Sequence, residues 1–213
     1  MEFTIKEISE IFQELKKKME AEKDYLIDLD SKVGDGDLGI SMAKAFKVAA
    51  ETIDEFAGED IGQALMKVAM AMNNAASSTM GTLFSSGILQ AGKSVKGKEK
   101  IDYRDILEMA EAGVKDIEKR NKAEKGDKTV LDSLLPALQS FRENINNGYS
   151  LEESLEVAQK AAHEGVKETE DMVARYGRAQ YYGEESRGHK DPGAVAAFIV
   201  IKTINNYINK KLS

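Results

Sequence analysis

The amino-acid sequence predicts an all-α protein, and three observations support that prediction. Apolar residues recur three and four positions apart through nearly all of the 213 residues, which is the spacing of an amphipathic helix. Alternating runs of β-branched residues, the usual mark of strands, are scarce. The chain contains only two prolines, Pro136 and Pro192, so few residues interrupt a helical run.

The first half of the chain contains four predicted helices. The acidic stretch 30–37 separates the first helix from the second, and the second ends near Gly58, a residue type that is common where helices end. The apolar residues that mark these four helices extend from Ile5 to Met19, from Met42 to Ala49, from Ile61 to Met72 and from Leu83 to Val95.

The second half contains four more. The fifth helix runs from Tyr103 to Lys119, the sixth begins near Thr129, and the seventh covers 150–176 and is rich in Ala and Glu. The eighth begins at Asp191-Pro192, an acidic N-cap followed by proline at the first helical position. Eight helices with short polar connections predict an antiparallel all-α assembly. No repeat or low-complexity linker divides the chain, so we expect residues 1–213 to form a single domain.

The composition is that of a globular protein and argues against several partners. The net charge is −7, from 37 acidic and 30 basic residues, which argues against binding to a nucleic-acid backbone. No apolar run approaches the roughly 20 residues of a membrane span, and the N-terminal residues lack the layout of a signal peptide. We therefore expect a soluble cytoplasmic protein. Because the chain has no cysteine, disulfides and thiolate metal sites are excluded, and we expect any metal to bind through oxygen.

One short loop has the glycine spacing of a dinucleotide-binding motif. Gly34, Gly36 and Gly39 satisfy G-x-G-x-x-G, a pattern that offers backbone N–H groups to a pyrophosphate when it follows a strand. Here the glycines join two predicted helices, and Asp35 and Asp37 between them would repel the phosphates. We therefore reject a dinucleotide-binding fold of that kind.

The same loop predicts a metal site. Asp30, Asp35 and Asp37 fall within eight residues, and the glycines let the backbone fold tightly enough for the carboxylates to converge. Converging carboxylates repel one another unless a cation neutralises them. An EF-hand is excluded, since its third and twelfth positions would be Lys32 and Ser41. Magnesium fits better, because it completes a shell of few carboxylates with waters and phosphates. The alternative is a solvated acidic turn.

Three other polar loops lie between predicted helices and are further candidates for a site. They cover 77–87, 121–132 and 175–193, and the last of them carries several basic residues among glycines. Each has a simpler interpretation when taken alone: Arg178, for example, would commonly form a surface ion pair. Their occurrence together with three acids favours a site, because convergent charge on loops of a rigid bundle is often functional.

Four motifs occur in a characteristic order along the chain: "DSKVGDGD", "GTLF", "GDKT" and "GRAQYYGEESRGHKDPGA". In this order they resemble the nucleotide-binding L subunit of dihydroxyacetone kinase. The first and last motifs are together highly specific, and the resemblance covers essentially the whole chain. It implies an eight-helix antiparallel barrel with the nucleotide bound at one end.

The resemblance also implies a set of site residues. Asp30, Asp35 and Asp37 match the three aspartates through which family members hold two magnesium ions and, through them, ADP or ATP. Arg178 is the candidate catalytic residue, for the charge on the transferred phosphoryl group. The positions that match the nucleotide region are Leu38, Gly39, Ile40, Ser41, Thr79, Met80, Asn121, Val130, Arg178, Asp191, Pro192 and Gly193. Some of these, such as Leu38 and Ser41, depart from the family's usual residues.

The activity implied by the resemblance is phosphoryl transfer to dihydroxyacetone bound on a separate K subunit. In the phosphoenolpyruvate-dependent version, ADP stays bound and is recharged by a phosphohistidine protein of the phosphotransferase system. One alternative is a subunit that exchanges ATP at every turnover and serves another short ketose. A second is a nucleotide-state sensor that binds a transcriptional regulator, and a third is a relative that has lost activity.

Overall fold

The computed structural model describes residues 2–212, and within that range the protein is almost entirely helical. The all-α class predicted from the sequence is confirmed. The α-helices are α1 Ile5–Ala21, α2 Lys23–Val33, α3 Leu38–Asp54, α4 Ile61–Ala75, α5 Thr79–Ser94, α6 Tyr103–Asn121, α7 Leu131–Asn146, α8 Leu151–Glu168 and α9 Pro192–Leu212. Two 3₁₀ segments, Thr169–Asp171 and Arg178–Ser186, lie between α8 and α9.

The observed helices differ from the predicted ones in number and in some of their bounds. The sequence predicted only one helix before the acidic stretch 30–37, but the structure has two. The second of them, α2, buries Leu26, Leu29 and Val33 and extends into that stretch. Helix α5 begins at Thr79 rather than Leu83, because Ser78 caps it by accepting a hydrogen bond from the Gly81 N–H at 3.1 Å. The count of eight is therefore wrong for the described residues, which contain nine α-helices.

Helix α8 ends at Glu168, eight residues before the predicted end. Beyond it, the carbonyls of Thr169 and Met172 accept hydrogen bonds from the Lys128 ammonium. The predicted seventh helix is thus wrong over its last turns, because distant partners redirect the backbone there.

The chain forms two compact units. The first contains the residues up to Glu20 together with Ser41–Arg120, and the second contains Ala21–Ile40 together with the residues from Asn121 onward. The single domain expected for residues 1–213 stays a prediction. No helix in the described part of the chain is both long enough and apolar enough to span a membrane.

The first unit is organised around the α4–α5 hairpin. A Cβ on Gly62 would lie 2.5 Å from the Gly92 carbonyl oxygen, so these helices approach each other at backbone distance. Phe46 of α3 meets Phe84 of α5 edge to face, with ring centroids 6.2 Å apart. Two short antiparallel strands, β1 Phe3–Thr4 and β2 Lys100–Ile101, complete this unit.

The second unit is built on the α7–α8 hairpin, against which α9 packs. Gly165 makes the close approach feasible, since a Cβ there would lie 1.9 Å from the Asp132 carbonyl oxygen. Helix α8 begins with a capping box formed by Ser150 and Glu153. Helix α2 also packs against α9. All three predicted metal ligands and Arg178 belong to this unit.

Candidate metal and nucleotide site

Three aspartates converge at the end of α2 and in the turn that follows it. One carboxylate oxygen from each of Asp30, Asp35 and Asp37 lies within 4.8 Å of the other two. The turn depends on glycine: a Cβ on Gly34 would lie 2.3 Å from Asp30 Oδ1, and Gly36 has a φ of +72°. The spacing of acids and glycines therefore produces the expected convergence, while their role as metal ligands stays a prediction.

Asp30 is the least exposed of the three. Its Oδ2 accepts a hydrogen bond from the Leu38 N–H at 3.2 Å. Burial raises the pKa of Asp30, and the negative charges of Asp35 and Asp37 raise it further, against the lowering effect of the backbone N–H groups. A bound cation would lower the pKa of Asp30, because its positive charge would offset the negative charges of Asp35 and Asp37.

The donor set fits magnesium. It consists of carboxylate oxygens only, with no histidine or thiolate among the three clustered residues. Hard cations such as magnesium prefer oxygen ligands, and they keep open positions for water or phosphate when few protein ligands are present.

Arg178 lies against this cluster. Its Nη2 is 2.8 Å from Asp35 Oδ2, although most of the arginine side chain is exposed. The residue opens the 3₁₀ segment Arg178–Ser186, directly after Gly177, whose φ is +66°. The surface ion pair considered from the sequence is thus present, and its partner is one of the predicted metal ligands.

The segment from Asp191 to Gly193 forms the start of α9. Asp191 is buried, and its Oδ2 accepts a hydrogen bond from the Ala194 N–H at 2.7 Å, as an N-cap does. Burial raises the pKa of Asp191 to about 7, with the Ala194 N–H and the Lys128 charge opposing the shift and the charges of Asp132 and Asp30 adding to it. Pro192 and Gly193 are buried beside it.

Leu38, Gly39 and Ile40 begin α3. Leu38 is buried, whereas Ile40 is 53% exposed. A Cβ on Gly39 would lie 2.2 Å from the Lys23 carbonyl oxygen, so this glycine is required for the packing of α3 on the start of α2. A helix N-terminus next to the acid cluster suits the phosphates of a metal-bound nucleotide, since its N–H groups favour anions.

Asn121 and Val130 lie at the two ends of the loop between α6 and α7. Among the described residues, the Asn121 Nδ2 is buried and has no hydrogen-bond partner, so it has a donor to offer. Val130 is buried immediately before α7. Contact of either residue with a nucleotide stays a prediction.

Ser41, Thr79 and Met80 belong to the first compact unit. Ser41 lies in the first turns of α3, and Thr79 and Met80 form the start of α5. Thr79 is exposed and the other two are half-buried. A role for them in nucleotide binding stays a prediction.

Three buried charged residues of this region were not singled out from the sequence: Asp127 and Lys128 in the α6–α7 loop, and Asp132 in the first turn of α7. The Asp132 carboxylate accepts hydrogen bonds from the N–H groups of Gly126, at 2.5 Å, and Thr129, at 2.7 Å. Lys128 is only 1% exposed. The "GDKT" motif marked this loop, but nothing in its local pattern distinguishes a buried lysine from a solvated one.

Comparisons with known proteins agree with the motifs. The chain belongs to the DAK2 domain family, whose model matches residues 32–206. It is 32% identical over 183 residues to the PEP-dependent dihydroxyacetone kinase, ADP-binding subunit DhaL, of Escherichia coli K12, with 86% of this chain and 87% of the relative covered. It is 31% identical over 202 residues to the kinase 2 ADP-binding subunit DhaL of Listeria innocua, covering 94% and 93%. The family resemblance seen in the sequence is confirmed.

A solved structure supports the fold. The dihydroxyacetone kinase of C. freundii, crystallised with AMP-PNP and Mg²⁺, superposes with a TM-score of 0.72 at 24% identity. The match covers 93% of this chain and 33% of that chain, so this protein spans about a third of the solved kinase.

Proposed function

We propose that this protein is the nucleotide-binding, phosphoryl-transfer subunit of a dihydroxyacetone (glycerone) kinase. It would hold Mg–ADP or Mg–ATP and pass phosphate to the ketose on a separate K subunit in the cytoplasm. The observation that carries the proposal is the convergence of three carboxylates within 4.8 Å, beside an arginine, in a chain of this family. Relatives matched over most of their length are named ADP-binding subunits of a PEP-dependent kinase.

The residues of this chain would act by binding and orientation. Asp30, Asp35 and Asp37 would hold two magnesium ions, which when bound neutralise negative charge on phosphate oxygens. Arg178 supplies a guanidinium within reach of Asp35 Oδ2, and a guanidinium suits phosphate because it can donate to two oxygens at once. Phosphoryl transfer depends mainly on positioning and charge stabilisation, so no side chain here needs to be a covalent nucleophile.

The phosphate donor is proposed to be a phosphohistidine protein of the phosphotransferase system. A relative from Lactococcus lactis, 29% identical over 187 residues, is named a PTS-dependent ADP-binding subunit. In this scheme the nucleotide stays on the protein between turnovers. A subunit that uses free ATP would instead release ADP each time.

The test has two stages. Native mass spectrometry of the purified protein first determines whether Mg–ADP stays bound. The phosphohistidine-dependent scheme requires that it does. The protein is then combined with a K subunit, dihydroxyacetone and either the phosphohistidine donor or ATP, and dihydroxyacetone phosphate is measured. If no dihydroxyacetone phosphate forms with either donor although the K subunit is active, the proposal is contradicted. Nucleotide-dependent binding of a transcriptional regulator without any transfer would favour the sensor role.

A further inference from the structure

Lys128 is a buried cation that the proposed reaction does not use. Its side chain is 1% exposed. The ammonium donates hydrogen bonds to the carbonyl oxygens of Thr169 at 2.6 Å, Met172 at 3.2 Å and His189 at 2.6 Å. An ammonium has three donors, so all of them are used. Such a group would be costly to bury without these partners.

The surrounding charges fit a cation at this place. Burial lowers the pKa of Lys128 and the positive charge of Arg187 adds to that shift, while the negative charges of Asp191, Glu170 and Asp132 act in the opposite direction. The charged amine is thus held by backbone carbonyls and by nearby acids rather than by one ion pair.

The backbone at Lys128 is also unusual. Its φ is +62°, in the left-handed region where glycine is favoured and other residues are strained. Strain of this kind persists where the surrounding structure requires it. At Lys128 this backbone accompanies a buried side chain whose ammonium is bound by three carbonyls.

The three carbonyls lie at the two ends of one segment. Met172 precedes and His189 follows the stretch that carries Arg178, which we call the arginine segment, residues 173–188. The two ends of this segment are also joined by a hydrogen bond from the Gly188 N–H to the Glu170 carbonyl at 2.7 Å. Lys128 therefore joins both ends of the arginine segment to the loop before α7.

The same contacts reach the start of α9. The Asp191 N–H donates to Thr169 Oγ1 at 2.9 Å, so the residue whose carbonyl binds the ammonium also fixes the N-cap of α9. Between its two ends, the arginine segment carries Arg178, whose Nη2 lies 2.8 Å from Asp35 Oδ2. A single side chain thus connects two parts of the candidate nucleotide site.

We propose that Lys128 is a positioning residue for nucleotide binding: its ammonium holds the ends of the arginine segment together and so places Arg178 beside the acid cluster. This inference rests on the proposed function, because the ligand that Arg178 meets is the metal-bound nucleotide. The three donors of the Lys128 ammonium are all taken by backbone carbonyls, so Lys128 would act through Arg178.

The test compares two lysine variants. Lys128→Met removes the three donors and keeps a long side chain, whereas Lys122→Met is the control, because Lys122 lies in the same loop with a φ of +58° and is exposed. We expect Lys128→Met to lower Mg–ADP affinity at least about tenfold by calorimetry and to speed amide hydrogen exchange in residues 173–188. Lys122→Met should change neither. Equal Mg–ADP affinity and exchange in Lys128→Met and the unaltered protein would overturn the inference.

A double-mutant cycle separates positioning from general stability. If Lys128 acts through Arg178, then Lys128→Met should weaken Mg–ADP binding little further in an Arg178→Ala background. Fully additive losses would overturn the inference. Mn²⁺ affinity without nucleotide should not fall in Lys128→Met, and a parallel fall would also overturn it, because the acid cluster itself would then be disturbed.

Three remaining outcomes have different consequences. If Lys128→Met does not fold, Lys128→Gly takes its place with the same measurements, since glycine suits the left-handed backbone. If the unaltered protein binds no Mg–ADP, the proposed function fails and the inference fails with it. If the unaltered protein binds and the Lys128 variant binds equally well, the inference alone fails.

Discussion

Removal of the Asp37 charge should change the stability of the protein in opposite directions with and without metal. Asp37→Asn deletes one of three carboxylates while nearly keeping the shape of the side chain. Asp37 is a better choice than Asp35, because Asp35 also pairs with Arg178 and its loss would disturb two interactions.

The size of the effect follows from the geometry of the cluster. The three ligand oxygens lie within 4.8 Å of one another. At such a separation two negative charges repel by about 1 kcal/mol in a water-like dielectric and by several times more in a protein-like one. Asp37 is exposed, so the lower figure applies, and salt reduces it further. Without metal, Asp37→Asn should therefore be more stable by about 1 kcal/mol, which raises Tm by roughly 2–4 °C for a chain of this size.

With magnesium and ADP present, Asp37→Asn should instead be less stable than the unaltered protein. A ligand that binds only the folded state stabilises it according to its concentration over its Kd, so a hundredfold loss of affinity removes about 2.7 kcal/mol. Thermal unfolding in chelator and in saturating Mg–ADP measures both signs. Asp28→Asn is the control, because Asp28 lies on α2, the helix that carries Asp30, and pairs with Lys32 outside the cluster. The metal assignment would be refuted if Asp37→Asn were less stable than the unaltered protein in chelator, or if Mg–ADP stabilised both proteins equally.

Three further predictions concern the second unit. Arg178→Lys should slow phosphoryl transfer more than it weakens ADP binding, because an ammonium cannot meet two oxygens as the charge redistributes in the transition state; equal losses would make Arg178 a simple phosphate anchor. Gly165→Ala should lower stability to urea by about 1–3 kcal/mol despite the better helix propensity of alanine, since its Cβ would lie 1.9 Å from the Asp132 carbonyl oxygen; an unchanged midpoint would contradict the close helix packing. Asp191→Asn should keep the N-cap and gain stability relative to the unaltered protein as pH rises from about 4 to 7. In the folded protein the pKa of Asp191 is raised to about 7 from 3.8, so the stability contributed by its proton is present below pH 4 and lost through pH 7, by up to about 4 kcal/mol. A pH-independent difference in unfolding free energy would count against the raised pKa.

Local pattern determined the helices and the acid cluster. Helical periodicity depends on residues three and four apart, so the sequence alone predicted most of the helices. Asp30, Asp35 and Asp37 lie within eight residues of one another, and their convergence needs only a tight glycine turn. Helix α2 was missed because its apolar stripe is short and runs directly into the acids.

Only the tertiary structure decided the long-range contacts. The three carbonyls that bind Lys128 lie 41, 44 and 61 positions further along the chain. Arg178 and Asp35, which form an ion pair, are also distant in sequence. The raised pKa of Asp191 likewise results from burial by the packed helices. Such contacts depend on which segments pack together once loops close, and a periodicity of a few residues carries no information about that. The sequence thus determined which groups could bind a metal, and the fold determined which distant charges lie beside them.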